Sequence, residues 1–347
     1  MAYTTIKKPS DYFNTKLYTG NDGTLAISGV GFQPDWTWIK CRSHGGSASF
    51  EHVLTDAVRG VNKTLVSNDT DAETTNNATG YLSVFGSDGF TVTGGDAVNG
   101  VGRTYASWNW LGANGTASNT DGSITSTVSA NTTSGFSIVS YAGNGTAGAT
   151  IGHSLGIKPS CILVKNRDNN DSWRMYHTSL GATKFLTLNS TNAAGTNSAE
   201  WNNTEPTSSV FTVGSGTNTN TNTQDYIAYC FAEVKGFSKF GSYVGNGNAD
   251  GTFVYTGFKP AFVIIRRTDT AENWTLFDNK RDVDNVAEHL IRPDTTAAEE
   301  IVSNYRLDLL SNGFKLKTTD GKMNASGGTY IYMAFAENPL KHSLARW

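Results

Sequence analysis

Three copies of one pattern run through the chain, and they limit what it can fold into more than any other feature. Tyr18-Thr-Gly-Asn21, Tyr141-Ala-Gly-Asn-Gly145 and Tyr243-Val-Gly-Asn-Gly247 each open a unit. A Gly-x-x-Pro element follows in each, with Gly31 and Pro34, Gly156 and Pro159, and Gly257 and Pro260 at its ends. Each Pro leads into an apolar run ending in a basic residue: 36–42, 161–167 and 262–267. An aromatic run closes each unit, at 105–110, 226–231 and 330–335. From Pro to the last aromatic (Trp110, Phe231, Phe335) the spacing is 76, 72 and 75 residues. Regularity of this kind marks tandem duplication. It also lets each apparent motif be tested against two sister copies.

The apolar runs are short and bounded by Gly, Asn and Ser, and charged residues make up only 16% against about 25% in ordinary domains. These features predict a mainly all-β protein: three tandem β-sandwich-like modules with short helical insertions at most. Boundaries fall at an N-terminal docking segment 1–11, module one 12–112, a polar linker 113–134, module two 135–235, module three 236–338 and a C-terminal tail 339–347. The linker composition predicts a flexible or loosely ordered connector. The direct joint after Glu233 predicts that modules two and three pack as a rigid pair. A helix is expected only around 294–310, where Thr295-Thr-Ala-Ala-Glu-Glu carries a plausible cap.

Net charge is −3 with no basic stripe, which argues against nucleic-acid binding. No window reaches the roughly 18 apolar residues of a membrane span. The start of the chain lacks a secretory leader pattern, so cytoplasmic synthesis with reduced thiols is expected. Three cysteines are too few for a disulfide framework, and Cys161 and Cys230 fall inside apolar strands.

The sister copies reject the catalytic motifs. Gly152-His-Ser154-Leu-Gly156 matches a nucleophile elbow, but Pro159 and an apolar strand follow where a helix is required. Counting back from the Gly-x-x-Pro element, Gly29 and Tyr255 stand at the Ser154 position. Gly143-Asn-Gly-Thr-Ala-Gly148 matches a dinucleotide fingerprint, yet Gly152, Gly156 and Pro159 leave no crossover helix. Asn246-Gly-Asn-Ala-Asp-Gly251 opens like a calcium loop but has Gly257 where the bidentate Glu belongs. The six His residues lack metal spacing, and Glu299 and Glu300 are adjacent rather than an acid–base pair. No cofactor, metal or catalytic residue is expected.

Residues 12–20 with 31–42 resemble a repeated module of tailed-bacteriophage structural proteins, often from marine phages. So do Asp56-Ala-Val-Arg-Gly60, Ser87-Asp-Gly-Phe90 and Phe335-Ala-Glu-Asn-Pro339. The resemblance covers nearly the whole chain, least clearly 113–134. It implies a non-enzymatic virion protein, tail-fibre-like or tail-associated, that contacts a host receptor or glycan. It further implies other virion proteins as partners and a homo-oligomer. A capsid decoration or capsid fibre protein is the alternative, and a glycan-degrading enzyme a remote one. Asp278-Asn-Lys-Arg-Asp282 replaces the Asp-Ala-Val-Arg-Gly element in module three, so a role tied to that loop would differ there. For glycan contact the candidates are Trp201, Asn202 and Asn203, an aromatic in a polar setting with no sister counterpart. Trp173 and Trp274 share a register, 14 residues after Pro159 and Pro260, which points to core packing.

Overall fold

The computed structural model describes residues 4–43 and 50–339. The first repeat contains β1 (Phe13–Thr19), β2 (Thr24–Ser28), β3 (Trp36–Cys41), β4 (His52–Asp56), β5 (Lys63–Val66), β6 (Thr74–Thr75), β7 (Tyr81–Gly86), β8 (Gly89–Thr93) and β9 (Thr104–Trp110). Next come β10 (Ala117–Asn119) and β11 (Ser126–Asn131). The second repeat contains β12 (Phe136–Ala142), β13 (Ala149–Gly152), β14 (Cys161–Asn166), β15 (Arg174–His177), β16 (Lys184–Thr187), β17 (Gly195–Thr196), α1 (Ser198–Trp201), β18 (Val210–Val213), α2 (Thr217–Asn220) and β19 (Asp225–Phe231). The third contains β20 (Ser238–Val244), β21 (Phe253–Tyr255), β22 (Phe258–Arg267), β23 (Thr275–Asp278), β24 (His289–Leu290), β25 (Glu300–Ile301), β26 (Leu307–Leu310), β27 (Gly313–Leu316), α3 (Gly321–Asn324) and β28 (Thr329–Pro339). The chain is mainly β, as the sequence predicts, and its helices are single turns.

One topology is built three times. The large sheet of repeat one runs β1-β9-β3-β4-β5-β6, and that of repeat two contains β12-β19-β14-β15-β16-β17 in the same order. Repeat three has β20-β28-β22-β23, with β24-β25 attached through a Leu276–Ile291 bridge. A small second sheet packs on one face of each: β2-β8-β7, β13-β18 and β21-β27-β26. Gly31, Gly156 and Gly257 sit at φ of 95°, 71° and 82°, a left-handed turn that favours glycine and feeds each central strand.

The Tyr-x-Gly-Asn signature has a repeated structural cause. Tyr18, Tyr141 and Tyr243 stack on Tyr105, Tyr226 and Tyr330 at 5.0, 5.2 and 4.8 Å. Asn99, Asn220 and Asn324 are fully buried. Each accepts a hydrogen bond from the N–H of the motif asparagine (Asn21, Asn144, Asn246). Their amides donate to carbonyls of the same turn, Gly23, Thr146 and Asn248. The Gly-Asn elements are therefore turns pinned from beneath.

Burial of both faces explains why the central runs read as continuously apolar rather than alternating. In β3, Ile39 and Cys41 point into a core local to repeat one. Trp36 and Trp38 point the other way, into a core common to all three repeats. Repeats two and three have the same arrangement, each with a local core. In the common core the last aromatic of each repeat meets its two counterparts. Trp110, Phe231 and Phe335 form a triangle of edge-on contacts at 6.3, 5.9 and 5.7 Å between centroids. Trp36 stacks on Tyr229 at 4.2 Å, and Phe13 on Phe335 at 5.0 Å.

Two expectations are corrected and a third is extended. Residues 113–134 are not a loose linker: β10 and β11 extend the second large sheet, where main-chain pairing and the burial of Asn119, Ser126, Val128 and Ser129 order them. Residues 294–310 form no helix, because β25 and β26 satisfy their backbone in sheets instead. Modules two and three do pack on each other, through Phe231 with Phe335 and His177 with Tyr332, but module one joins them in the same common core. Within the N-terminal segment, Ile6 is buried in that core. Residues 340–347 of the expected tail lie outside the described residues, as does His44.

A large-to-small change at the triangle removes packing from all three repeats at once. Phe231→Ala is expected to cost about 3–5 kcal/mol. Chemical denaturation followed by tryptophan fluorescence should show one earlier transition; separate transitions for the repeats would contradict the shared core.

Candidate functional site

Acids and bases converge at the joints between repeats. Asp56, at the end of β4, accepts N–H bonds from Val58 and Arg59 and pairs with the Arg59 guanidinium at 2.5 Å. Arg59 also reaches Glu73 at 3.1 Å, and Arg167 of repeat two closes on the same carboxylate at 3.0 Å. The Tyr229 hydroxyl, also from repeat two, donates to Asp56 at 2.8 Å. The next joint repeats this chemistry. Asp278 pairs with Arg281 at 2.5 Å, Arg281 reaches Glu299 at 3.1 Å, and Arg42 of repeat one binds Glu299 at 2.8 Å. Trp108 donates its indole N–H to Asp278 at 3.0 Å. The replaced loop of module three thus keeps the Asp–Arg pair of its sister; the two residues between and the one that follows, Gly60 against Asp282, differ.

The third joint uses a neutral substitute. His177 stands where the others have Asp, and Leu180 where they have Arg. The His177 Nδ1 accepts from the Ser179 N–H at 3.2 Å, and its Nε2–H donates to the Tyr332 carbonyl at 3.2 Å. A second set of bonds also passes round the ring: Trp173 donates to Val66, Trp274 to Thr187 and His52 to Arg292. Repeat two therefore grips one, one grips three, and three grips two.

Burial sets the electrostatics. It pushes Glu73 and Glu299 up, but bonds and charge from Arg167 with Arg59, and from Arg42 with Arg281, outweigh it and leave both carboxyls below their usual range. It lowers His177 to about 4, against a weaker upward pull from the Tyr332 carbonyl. Each repeat also buries one cation at the end of its central strand: Lys40, Lys165 and Arg266. Burial lowers both lysines to about 8 and Arg266 to about 10. Lys40 donates to the carbonyls of Phe50 and Thr296, and Arg266 to that of Asn192, so two of the three also span a joint.

The sequence-predicted binding residues are placed differently from expectation. Trp201 is 2% exposed, in α1, with its ring edge-on to Tyr176 at 6.1 Å, so it offers no platform. Asn202 caps α1 in the left-handed region at φ 50°, and Asn203 follows at φ 52° on the surface. The local sequence misled because a single helical turn swings the indole inward, leaving only its polar neighbours outside. Trp173 and Trp274 are buried as their shared register predicts. Ser154 accepts from Asn119, and the adjacent His153 is bonded to Leu155 and Thr207, so the two do not act on each other. Asn246 and Asn248 are tied into their own turn, and Asp250 pairs with Lys315 at 2.6 Å. No group of three metal-ligating side chains occurs among the described residues.

The exposed aromatics lie elsewhere. Phe253 and Tyr255 are 44% and 54% exposed on β21, beside Val244 at 57%. By register their counterparts are Ala26 and Ser28 in repeat one and Thr150 and Gly152 in repeat two. Comparing these three short strands was the signal that sequence reading missed. The turn before each Gly-x-x-Pro differs in length, so Tyr255 matches Gly152 by register rather than Ser154. A polar depression of about 290 Å³, lined by Ser303, Asn304, Lys317 and Asp320 among others, lies in the same repeat.

Residues 8–339 match the family described as a domain of unknown function, DUF7483, and the chain belongs to that family. No curated protein and no solved structure matches it.

Two outcomes test the joints. Arg59→Met should cost about 3–5 kcal/mol by stranding Asp56, and adding Asp56→Asn should recover part of that loss in denaturant titrations. His177 is neutral when folded, with its pKa below that of the unfolded chain. Stability is therefore complete above about pH 6.5 and falls as pH drops towards about 4, by roughly 3 kcal/mol from this residue. His177→Gln should flatten that interval in a Tm-versus-pH series; an unchanged slope would exclude the assignment.

Proposed function

We propose that the chain is a non-enzymatic structural protein of a bacteriophage virion, tail-fibre-like or tail-associated, that presents its third repeat to a host-surface glycan or receptor. The observation that carries this reading is the use of reactive side-chain types. Asp56, Glu73, Asp278, Glu299, His52 and His177 converge with their partners at the joints, bonded to a neighbouring repeat. Such groups hold the body together instead of lining a cleft around a reacting atom. The likeness of residues 12–20 with 31–42 and of the closing Phe335-Ala-Glu-Asn-Pro339 to phage modules supports the setting.

Phe253 and Tyr255 support surface contact. The fold does not require aromatics there, since the sister strands carry small residues at both places. Two aromatics on one face of a strand suit the apolar face of a sugar ring. The binding role expected of Trp201 therefore passes to this pair. Lys315 lies directly across from Phe253 and adds a hydrogen-bond donor beside the rings.

Immunogold labelling of intact particles tests the setting, with label at the tail expected; label over the capsid would favour a decoration protein, and absence from purified virions would refute the proposal. Phe253→Ala with Tyr255→Ala should lower host adsorption while leaving particle assembly and Tm unchanged.

A further inference from the structure

Repeat two carries an element that its sisters lack. β11 pairs along β12 from Ser126–Tyr141 to Asn131–Phe136. Just before it, Ile124 forms a parallel bridge with Ile151 of β13, its N–H donating to the Thr150 carbonyl at 3.0 Å. Segment 119–131 thus covers the edges of both sheets in that repeat. The chain itself shows what the site accepts: an extended polypeptide held mainly by main-chain bonds.

In repeat one the same place is open. β1 is the counterpart of β12, and it ends its sheet. Pairing with the closing strands equates Asn14, Thr15, Lys16 and Leu17 with Ser137, Ile138, Val139 and Ser140. Those four residues of repeat two are covered by β11. Their counterparts line a surface cleft of about 320 Å³, together with Gly29 beyond β2 and Lys280, which comes from repeat three. The bonds from Leu111 to Tyr12 and from Gly20 to Arg103 set the alternation of the β1–β9 ladder. The main-chain groups of Thr15 and Leu17 therefore point away from β9, toward the open edge. The Thr15 Oγ1 is buried without a partner among the described residues.

Charge indicates the chemistry of the occupant. Neither Lys16 nor Lys280 forms an ion pair with a described residue. Asp88, close to Lys16, is held by the N–H groups of Gly29 and Gly31 at 2.9 and 2.7 Å. The third copy differs: β20 also ends its sheet, but Gly241 stands at the Lys16 position by register, and the nearby Lys239 is paired with Glu233 at 2.7 Å.

We propose that the β1 cleft is a strand-acceptor site, taking an extended segment of a partner polypeptide whose acidic side chains meet Lys16 and Lys280. Strand addition to an exposed edge draws affinity from main-chain bonds and specificity from flanking side chains. The site does not depend on which particle or surface the protein serves.

The test uses the chain's own covering segment as a probe. A synthetic peptide of residues 119–131 with Val128→Glu places an acid opposite the Lys16 position, because Val128 pairs with Val139. With a photoreactive group at its end, it should cross-link to residues 14–17 or to Lys280 of the intact protein. Lys16→Glu should lower that yield about tenfold, and a peptide bearing Val128→Lys should restore it on the variant. Cross-links confined to β12, or a yield indifferent to charge reversal with the variant's Tm unchanged, would overturn the proposal.

Discussion

Three aromatic rings, one from the last strand of each repeat, meet at the centre of the molecule. Trp110, Phe231 and Phe335 each contact the other two, and the remaining order radiates from that contact. Because the closing strand is paired on both sides in every large sheet, fixing its inner face at the triangle fixes the sheet. The outer face then carries a smaller sheet over a local core. A repeat separated from its neighbours would expose the inner face, a broad aromatic surface of the kind that drives association.

Polar groups at the joints decide how the three sheets meet. Apolar packing alone is weakly directional, and three similar faces could slide or pair wrongly. Asp–Arg–Glu clusters at two joints and His177 at the third give each interface a distinct set of partners. Removing one member of such a cluster leaves a buried charge, whereas the complete cluster is internally satisfied. The difference between the joints also breaks the symmetry inherited from duplication, so that repeat two has one correct neighbour on each side.

Much of this was legible in the sequence, and the rest was hidden for identifiable reasons. The repeat and the burial of Trp173 and Trp274 follow from spacing, and the strand content from short apolar runs bounded by turn residues. That 113–134 joins a sheet was not visible, because Ser126–Asn131 has mostly polar side chains and is held by main-chain pairing with the neighbouring β12. The burial of Trp201 was masked by the asparagines that follow it. The functional meaning of Asp56 and Asp278 was obscured by the changed residues between Asp and Arg, although the spacing of three is identical. Phe253 and Tyr255 stood in plain view; only the register of β21 against its sisters shows that the fold would be content with small residues there.

Native-state hydrogen exchange of the intact protein addresses the shared core most directly. If the repeats stand or fall together, the slowest amides of β9, β19 and β28 exchange with one common opening free energy. Three well-separated values, one per repeat, would mean that the repeats are independent units that merely touch.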